Sequence, residues 1–262
     1  MAGARYAFAV AILVVLGNPP VKRSWVETIK DIKRSVVPVV CGYTDNKGKW
    51  IIADVEGTGF LVDRKAGRFV TASHVLDGLD TFVRETPEHR CEYAIYIPDE
   101  GWEKGGNVIN LEYFTFNKCI RSASADVAVC TLIENPFTSP RLAKNLVQEV
   151  SFAAGEVPDG TAAAFTGFPL QRTTPITSIS NVAGRATMND NDPWFFYLLD
   201  KTAWLGASGS PVYTEGGKVI GMIVRTGTDE SAGIGFARCS AAILDLLTRK
   251  PGVEEKQKHE KP

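Results

Sequence analysis

Apolar residues in this chain recur in short runs that are bounded by Gly, Asp, Asn and Pro. Such runs are typical of the strands of an all-β sandwich or barrel, because long helices need a sustained period of about 3.6 residues. The predicted strands form two groups, and two antiparallel β-barrels of about six strands each would accommodate them. The first group comprises residues 36–43, 50–54, 59–63, 68–72, 92–97, 108–116 and 127–132. The second group comprises residues 162–166, 176–188, 194–199, 211–214, 219–225 and 233–237.

The segment between the two groups is predicted to be a linker. Residues 134–150 contain two prolines and then a weakly helical stretch, which is typical of a boundary between two halves of a chain. We therefore predict an N-terminal barrel over residues 18–140. A C-terminal barrel with a terminal helix is predicted over residues 141–249.

The end of the chain departs from the strand pattern. Ile243, Leu246 and Leu247 have i, i+3 and i+4 spacing within residues 240–249, which predicts one amphipathic helix docked on the body. The charged segment that follows, residues 250–262, is predicted to be a disordered tail.

The beginning of the chain contains the one stretch with the character of a targeting segment. A single Arg5 precedes an apolar run over residues 6–16, which is too short to span a bilayer. The run has the length of a signal-peptide core, so residues 1–17 are predicted to be a signal peptide that is cleaved after Gly17. The expected location is then secreted or periplasmic, with no integral membrane span after cleavage. The alternative is a cytoplasmic protein in which residues 7–16 form an N-terminal strand or helix.

Composition narrows the classes of partner. With 262 residues, 44% apolar and 23% charged, the chain has the composition of a soluble globular protein. A formal net charge of -1 provides no basic excess for phosphates, so nucleic acid is not expected as a partner. The five cysteines are odd in number, so at least one is unpaired within the chain, and most are interpreted as small, buried, apolar-like residues. No Cys/His cluster has metal-ligand spacing, and no metal site is predicted.

The most informative short segment is GASGSP, residues 206–211. Small residues around Ser208 permit a sharp turn that exposes its hydroxyl and directs backbone N–H groups to one point. The amides of Gly206 and Ser208 are the predicted donors of an oxyanion hole. Because Gly-x-Ser-Gly also occurs in turns without function, the segment gains weight only from its partners.

Two further residues have the chemistry that a nucleophilic serine needs. His74 follows an apolar strand in FVTASHVL, at a strand end where a side chain can face a cleft, whereas His89 lies in a polar run and the remaining histidine in the tail. Asp126 opens the apolar segment DVAVCTL, where a carboxylate needs a partner such as a histidine N–H. The alternative for Asp126 is a turn residue bonded to its own backbone near Ser122 and Ser124.

The order His74, Asp126, Ser208 along the chain is that of chymotrypsin-type enzymes rather than subtilisins or α/β-hydrolases. The chain resembles the trypsin-like peptidase superfamily, and most of all bacterial HtrA-like protease domains, over roughly residues 36–240. The resemblance is carried by GTGFLV (57–62), FVTASHV (69–75), DVAVCTL (126–132), TGFP (166–169), GASGSP (206–211), KVIGMIV (218–224) and GIGFA (233–237). It implies a trypsin-like double barrel with the site in the cleft between the barrels. It implies no metal and no cofactor.

The chain also departs from the family pattern. Ala207 stands where the digestive enzymes have an aspartate that captures a newly cut N-terminus, so that route of activation is not expected. Ser210 replaces the usual second glycine, and its hydroxymethyl group is expected to narrow the cleft. No PDZ module follows the protease-like region.

Substrate contacts are assigned by the same resemblance. They are predicted at Thr202, Val224, Arg225, Thr226 and Gly235. Thr202 is neutral and lies six residues before Ser208, so a small or medium apolar side chain is expected to be preferred over Arg or Lys.

The predicted function is therefore that of a serine endopeptidase that acts on protein or peptide substrates through an acyl-enzyme, with His74 as base and Asp126 as its partner. Two alternatives stay open. One is a binding protein with the same fold that has lost turnover. The other is an esterase or autoprocessing enzyme that uses the same residues.

Overall fold

The structure of the protein is a computed structural model that describes residues 23–98, 111–138, 147–172, 174–188, 191–228 and 231–249. The predicted features that lie wholly or partly outside these ranges are the signal peptide of residues 1–17 with the alternative strand or helix of residues 7–16, the start of the strand predicted over 108–116, linker residues 139–146, the boundary between residues 140 and 141, and the tail of residues 250–262. None of the helices in the described ranges is long and apolar enough to cross a membrane.

The first barrel is a closed ring of six strands. Its strands are β1 (Val36–Thr44), β2 (Trp50–Asp63), β3 (Arg68–Thr71), β4 (Glu92–Pro98), β5 (Leu111–Ser122) and β6 (Val127–Leu132). Neighbours pair in the order β1-β2-β3-β6-β5-β4, all antiparallel. Inward-facing residues such as Val39, Phe60, Val70 and Ile95 are fully buried, because alternate residues of a strand face the same side of a sheet.

The second barrel is built from the later strands. They are β7 (Ser151–Phe152), β8 (Ala162–Gly167), β9 (Ile176–Ala186), β10 (Phe196–Leu199), β11 (Pro211–Thr214), β12 (Lys218–Thr226) and β13 (Gly235–Cys239). The order β11-β8-β9-β10-β13-β12 closes through pairing of β11 with β12, and the short β7 adds in parallel to β12. The predicted all-β double barrel is confirmed.

Three α-helices in the described ranges accompany the barrels: α1 (Trp25–Lys33), α2 (Ser73–Glu85) and α3 (Ser240–Thr248), with short 3₁₀ helices at Pro87–His89, Pro136–Thr138 and Pro169–Gln171. The helix α3 was predicted, and its Ile243 and Leu246 are buried. The helix α1 was not, although Ser24 and Glu27 form a capping box at its start, which is a local helix signal.

The helix α2 changes the setting of His74. The sequence predicts His74 at a strand end, but the structure places it in the first turn of α2, three residues after β3 ends at Thr71. Val75, Leu76 and Leu79 bury one face of this helix, so helical spacing was present, although Asp77, Gly78 and Asp80 interrupt the apolar residues.

The strand boundaries differ most around β2 and β5. Residues 50–54 and 59–63 were predicted as two strands, but they form the single strand β2. Pairing with β1 continues across the intervening residues through register shifts at Val39/Val40 and Cys41/Gly42, and such bulges let a strand bend without ending. Residues 111–116 of the strand predicted over 108–116 lie in β5, which runs from Leu111 to Ser122.

Four of the five cysteines are paired within the first barrel. Cys41 is bonded to Cys91 and Cys119 to Cys130, while Cys239 is free and buried. Cys41, Cys130 and Cys239 are buried, as expected for most of the five, and Cys239 is the unpaired one. The interpretation as merely apolar-like residues did not include the two disulfides. The predicted export stays a prediction.

Candidate active site

His74 and Asp126 face each other on the side of the first barrel that is next to the second barrel. The imidazole Nδ1 lies 2.7 Å from Asp126 Oδ2, and the His74 backbone N–H donates to Oδ1 at 3.0 Å. Asp126 therefore holds both the ring and the start of α2. The alternative of a turn aspartate bonded to its own backbone does not describe this carboxylate, because His74 occupies both of its oxygens.

The backbone at Asp126 is strained. Its φ is +54°, in the left-handed region that costs a residue with a side chain about 1 kcal/mol or more. Asp126 N–H donates to the carbonyl of Ala123 at 3.3 Å, and β6 begins at the next residue. The strained turn thus directs the carboxylate away from the strand and toward α2.

Two opposing effects act on the pKa of His74. Burial lowers it, whereas the hydrogen bond that the imidazole donates to Asp126 and the charges of Asp126, Asp77 and Glu56 raise it, and the net result is a pKa above the ordinary histidine value. Burial, together with a hydrogen bond and the charge of Asp54, raises the pKa of Glu56 to about 7. His74 is thus surrounded by carboxylates that favour its protonated form.

Ser208 lies in the turn between β10 and β11 and is tied to the first barrel. Its carbonyl accepts from the backbone N–H of Thr58 at 2.8 Å. A Cβ built on Gly57 would lie 2.6 Å from Val75 Cγ2 and 3.0 Å from the same carbonyl. Since Val75 directly follows His74, the turn that carries Ser208 lies against the start of α2.

Glycines shape this turn. Gly206 and Gly209 have φ values of +83° and +87°, which glycine adopts at no steric cost. A Cβ on Gly209 would lie 1.8 Å from the Thr58 carbonyl oxygen, so no side chain fits there. Within the described part of the chain, the backbone amides of Gly206 and Ser208 donate to no protein acceptor, as an anion-binding pair requires.

Ala207 and Ser210, the two residues of the GASGSP segment that differ from the family pattern, are both buried. Ala207 is 2% exposed and Ser210 is fully buried, so the expectation that Ser210 narrows the cleft is wrong. A Cβ on Gly167 would lie 1.9 Å from Ser210 Oγ. The absence of a side chain at Gly167 therefore makes room for the extra hydroxymethyl group.

A cavity of about 540 Å³ lies between the barrels beside His74 and Asp126. Val224 and Arg225, two of the predicted substrate contacts, line it together with Phe196. The other three predicted contacts are not among the described residues that line this cavity. They are Thr202, Thr226 and Gly235.

These three residues lie together at another place. Gly235 pairs with Thr226 across β13 and β12. A Cβ on Gly235 would lie 2.7 Å from the carbonyl oxygen of Lys201 and 3.8 Å from the amide nitrogen of Ala203. Gly235 therefore allows close approach of the segment that contains Thr202.

Sequence reasoning missed Arg238, which is 2% exposed and also lines the cavity. A signal was present: Arg238 is the one charged residue in GIGFARCSAA, an otherwise apolar or small segment. Glu56 was missed as well, because its position beside α2 depends on tertiary packing.

The chain is similar to known proteins in two comparisons, one with protein-family models and one with solved structures. Residues 57–222 match the family model of the trypsin-like peptidase domain. The crystal structure of the active form of the Rv3671c protease from M. tuberculosis superposes with a TM-score of 0.59 and 16% identity, covering 97% of this chain and 96% of that chain. An inactive form of that protease has a TM-score of 0.55 and 17% identity, covering 86% of this chain and 93% of that chain. At these identities the structures establish the fold alone. No curated protein sequence matches the chain.

Proposed function

Because the chain belongs to the trypsin-like peptidase family, a group of hydrolases that act on protein substrates, we propose that it is a serine endopeptidase. Ser208 is the nucleophile, His74 the general base and Asp126 the partner that orients His74. The observation that carries the proposal is the pair of hydrogen bonds from His74 to Asp126. The turn that carries Ser208 lies beside this pair, and its Gly206 and Ser208 amides donate to no acceptor among the described residues.

The proposed mechanism is acyl transfer. His74 removes the proton of Ser208 Oγ as that oxygen attacks the peptide carbonyl, and the amides of Gly206 and Ser208 stabilise the oxyanion. The imidazolium then protonates the leaving amine, the C–N bond breaks, and an ester on Ser208 remains. Water, deprotonated by His74, hydrolyses this ester and restores the serine. The steps need no metal or cofactor.

Asp126 serves this mechanism in two ways. Its hydrogen bond to Nδ1 leaves Nε2 of His74 free of hydrogen and able to accept the serine proton. Its charge stabilises the imidazolium that forms in the transition state. The raised pKa of His74 is the ground-state sign of that stabilisation.

The test uses the purified protein and two probes. A fluorophosphonate should label the protein once per chain, and the label should map to the peptide that contains Ser208. A diverse peptide mixture should be cut at internal bonds, with mass spectrometry identifying the products. Labelling without peptide cleavage would contradict a peptidase and favour an esterase. The absence of both labelling and peptide cleavage would favour a binding protein.

The rate should depend on pH through His74. Since only the neutral imidazole acts as a base and its pKa lies above the ordinary value, kcat/KM should fall as pH drops through a value above about 6.5. Glu56→Gln removes a carboxylate that raises this pKa, but the pKa of Glu56 is itself about 7, so the carboxylate is only partly charged over the acidic limb and the limb should move to lower pH by a small amount. The measurement is kcat/KM between about pH 5 and 9.

Glu149→Gln is the matched control for the Glu56 variant. Glu149 accepts from the backbone N–H of Arg64 and is not among the groups that act on the pKa of His74. Its profile should coincide with that of the wild type. If kcat/KM of the wild type does not fall as the pH is lowered, His74 is not the base.

A further inference from the structure

Arg238 of β13 is a buried arginine in which each of the three side-chain nitrogens donates to a partner. Its guanidinium pairs with Asp192 at 2.9 Å, and the side chains are 2% and 7% exposed. Nη1 also donates to the carbonyl of Trp194 at 2.7 Å, and Cζ lies 3.7 Å from the centre of the Phe196 ring. Such pairing is what makes a buried charge tolerable.

The remaining donors of Arg238 cross from the second barrel to the first. Nε donates to the carbonyl of Ala125 at 2.9 Å, and Nη2 to the carbonyl of Ser124 at 3.3 Å. These are the two residues directly before Asp126. One side chain of the second barrel thus holds the turn that carries the Asp126 carboxylate.

Besides Arg238, the turn is held by the two hydrogen bonds from His74 to Asp126 and by a long bond of 3.4 Å from the Ala125 N–H to Ser122 Oγ. Asp126 has a left-handed φ of +54°, and such conformations persist only where the surroundings impose them. Within the turn, the bond from Asp126 N–H to the Ala123 carbonyl is long, at 3.3 Å. Ala125 is buried, but Ala123 and Ser124 are exposed to solvent, so packing confines only one of the three residues before Asp126.

We propose that Arg238 is a positioning residue that keeps the turn of residues 123–126 in the conformation in which Asp126 reaches His74. Asp192 fixes the guanidinium and neutralises its charge, so Arg238 acts through geometry rather than through its field. The catalytic consequence rests on the proposed function, whereas the effect on the His74–Asp126 pair does not.

The pKa of His74 depends on whether the turn holds Asp126 next to the imidazole, so it measures the position of the turn. The charged groups that act on the imidazole or share its cavity are Asp126 from the turn, Asp77 from α2, Glu56 from β2, Arg225 from β12, and Arg238 from β13, which is paired with Asp192. If the turn relaxes, His74 loses the hydrogen bond and the close charge of Asp126. Burial then dominates, and the pKa falls.

The experiment is an NMR titration of the full chain, which has only three histidines, with His74 assigned by its loss in His74→Gln. The test variant is Arg238→Met/Asp192→Leu, which replaces both buried charges by apolar groups and so leaves neither unpaired. We expect the pKa of His74 to fall in this variant. At a pH where His74 is neutral, kcat should fall about 10²-fold with KM little changed, as for a misplaced catalytic group.

Arg185→Met is the matched control. Arg185 lies on β9 of the second barrel, pairs with Glu156, donates to the carbonyl of Val157 and stacks 5.3 Å from the centre of the Phe195 ring. It therefore has the same kinds of contact as Arg238, but none to the turn. The pKa of His74 should be unchanged in this variant.

An unchanged pKa of His74 in the folded double variant would overturn the proposal. If circular dichroism shows that the double variant does not fold, Arg238→Lys decides instead. Lysine keeps a charge opposite Asp192 but lacks the planar fork needed for both carbonyls, so the pKa must fall in this variant too, and an unchanged value refutes the positioning role. The titration needs no turnover, so a wild type that cleaves no peptide refutes the proposed function without deciding the role of Arg238.

Discussion

Replacing Ser208 by alanine should abolish peptide hydrolysis, lowering kcat by about 10⁶-fold, the scale of losing a serine nucleophile. The hydroxyl is the only group in the proposed mechanism that forms a bond to the substrate, so no other side chain can take over its step. The fold should be unaffected, because Ser208 is half-buried and holds the first barrel through its backbone carbonyl. The measurement is kcat for an internally cleaved peptide, with circular dichroism to check the fold.

Ser210→Ala is the matched control in the same hexapeptide. Ser210 is fully buried, and its Oγ has no hydrogen-bond partner among the described residues. Its removal should leave labelling and kcat close to the wild-type values. If Ser208→Ala keeps fluorophosphonate labelling, or if only Ser210→Ala loses it, the assignment of the nucleophile is wrong.

Asp126→Asn should lower kcat by about 10⁴-fold, as loss of the carboxylate in such a triad does. An amide NH₂ facing Nδ1 favours the tautomer with hydrogen on Nε2, which cannot accept the serine proton. The loss of charge also lets burial lower the pKa of His74. KM should change little, because the acceptor for His74 does not bind substrate. Steady-state kinetics as a function of pH measure both effects.

The variant Asp77→Asn separates two effects on His74: the effect of a nearby negative charge and the effect of a hydrogen bond to the ring. Asp77 raises the pKa of His74 by its charge alone, and it is 65% exposed and paired with Arg121. Because exposed charges interact weakly through water, this variant should lose less than about 10-fold in kcat. Equal losses in the Asp77 and Asp126 variants would contradict a directional role for Asp126.

The strands were the most predictable part of the fold. The predicted segments 127–132 and 211–214 coincide with β6 and β11, because each is an apolar run that ends at turn residues. The break predicted inside β2 came from Glu56 and Gly57, which interrupt the apolar pattern. In the barrel, Glu56 lies against Gly78 of α2 and its neighbour Gly57 against Val75, so neither needs a turn.

The side-chain environment of the site was less predictable. The fate of Ser210 depends on Gly167, which is distant in sequence but close enough that a Cβ there would lie 1.9 Å from Ser210 Oγ. The position of Arg238 depends on a carbonyl 113 residues away. A pattern read along the chain contains no information about such pairs.

The sequence by itself determined two groups of apolar strands, the turn of small residues around Ser208, and the order of His74, Asp126 and Ser208. These features depend on local chemistry: side chains alternate along a strand, and glycines permit positive φ. Only the tertiary structure decided that Asp126 accepts from both the ring and the backbone of His74, that the hydroxymethyl group of Ser210 is buried outside the cleft, and that Arg238 joins the two barrels at Asp126. The physical reason is that burial and charge pairing depend on distances between atoms, and those distances exist only once both barrels have closed and packed together.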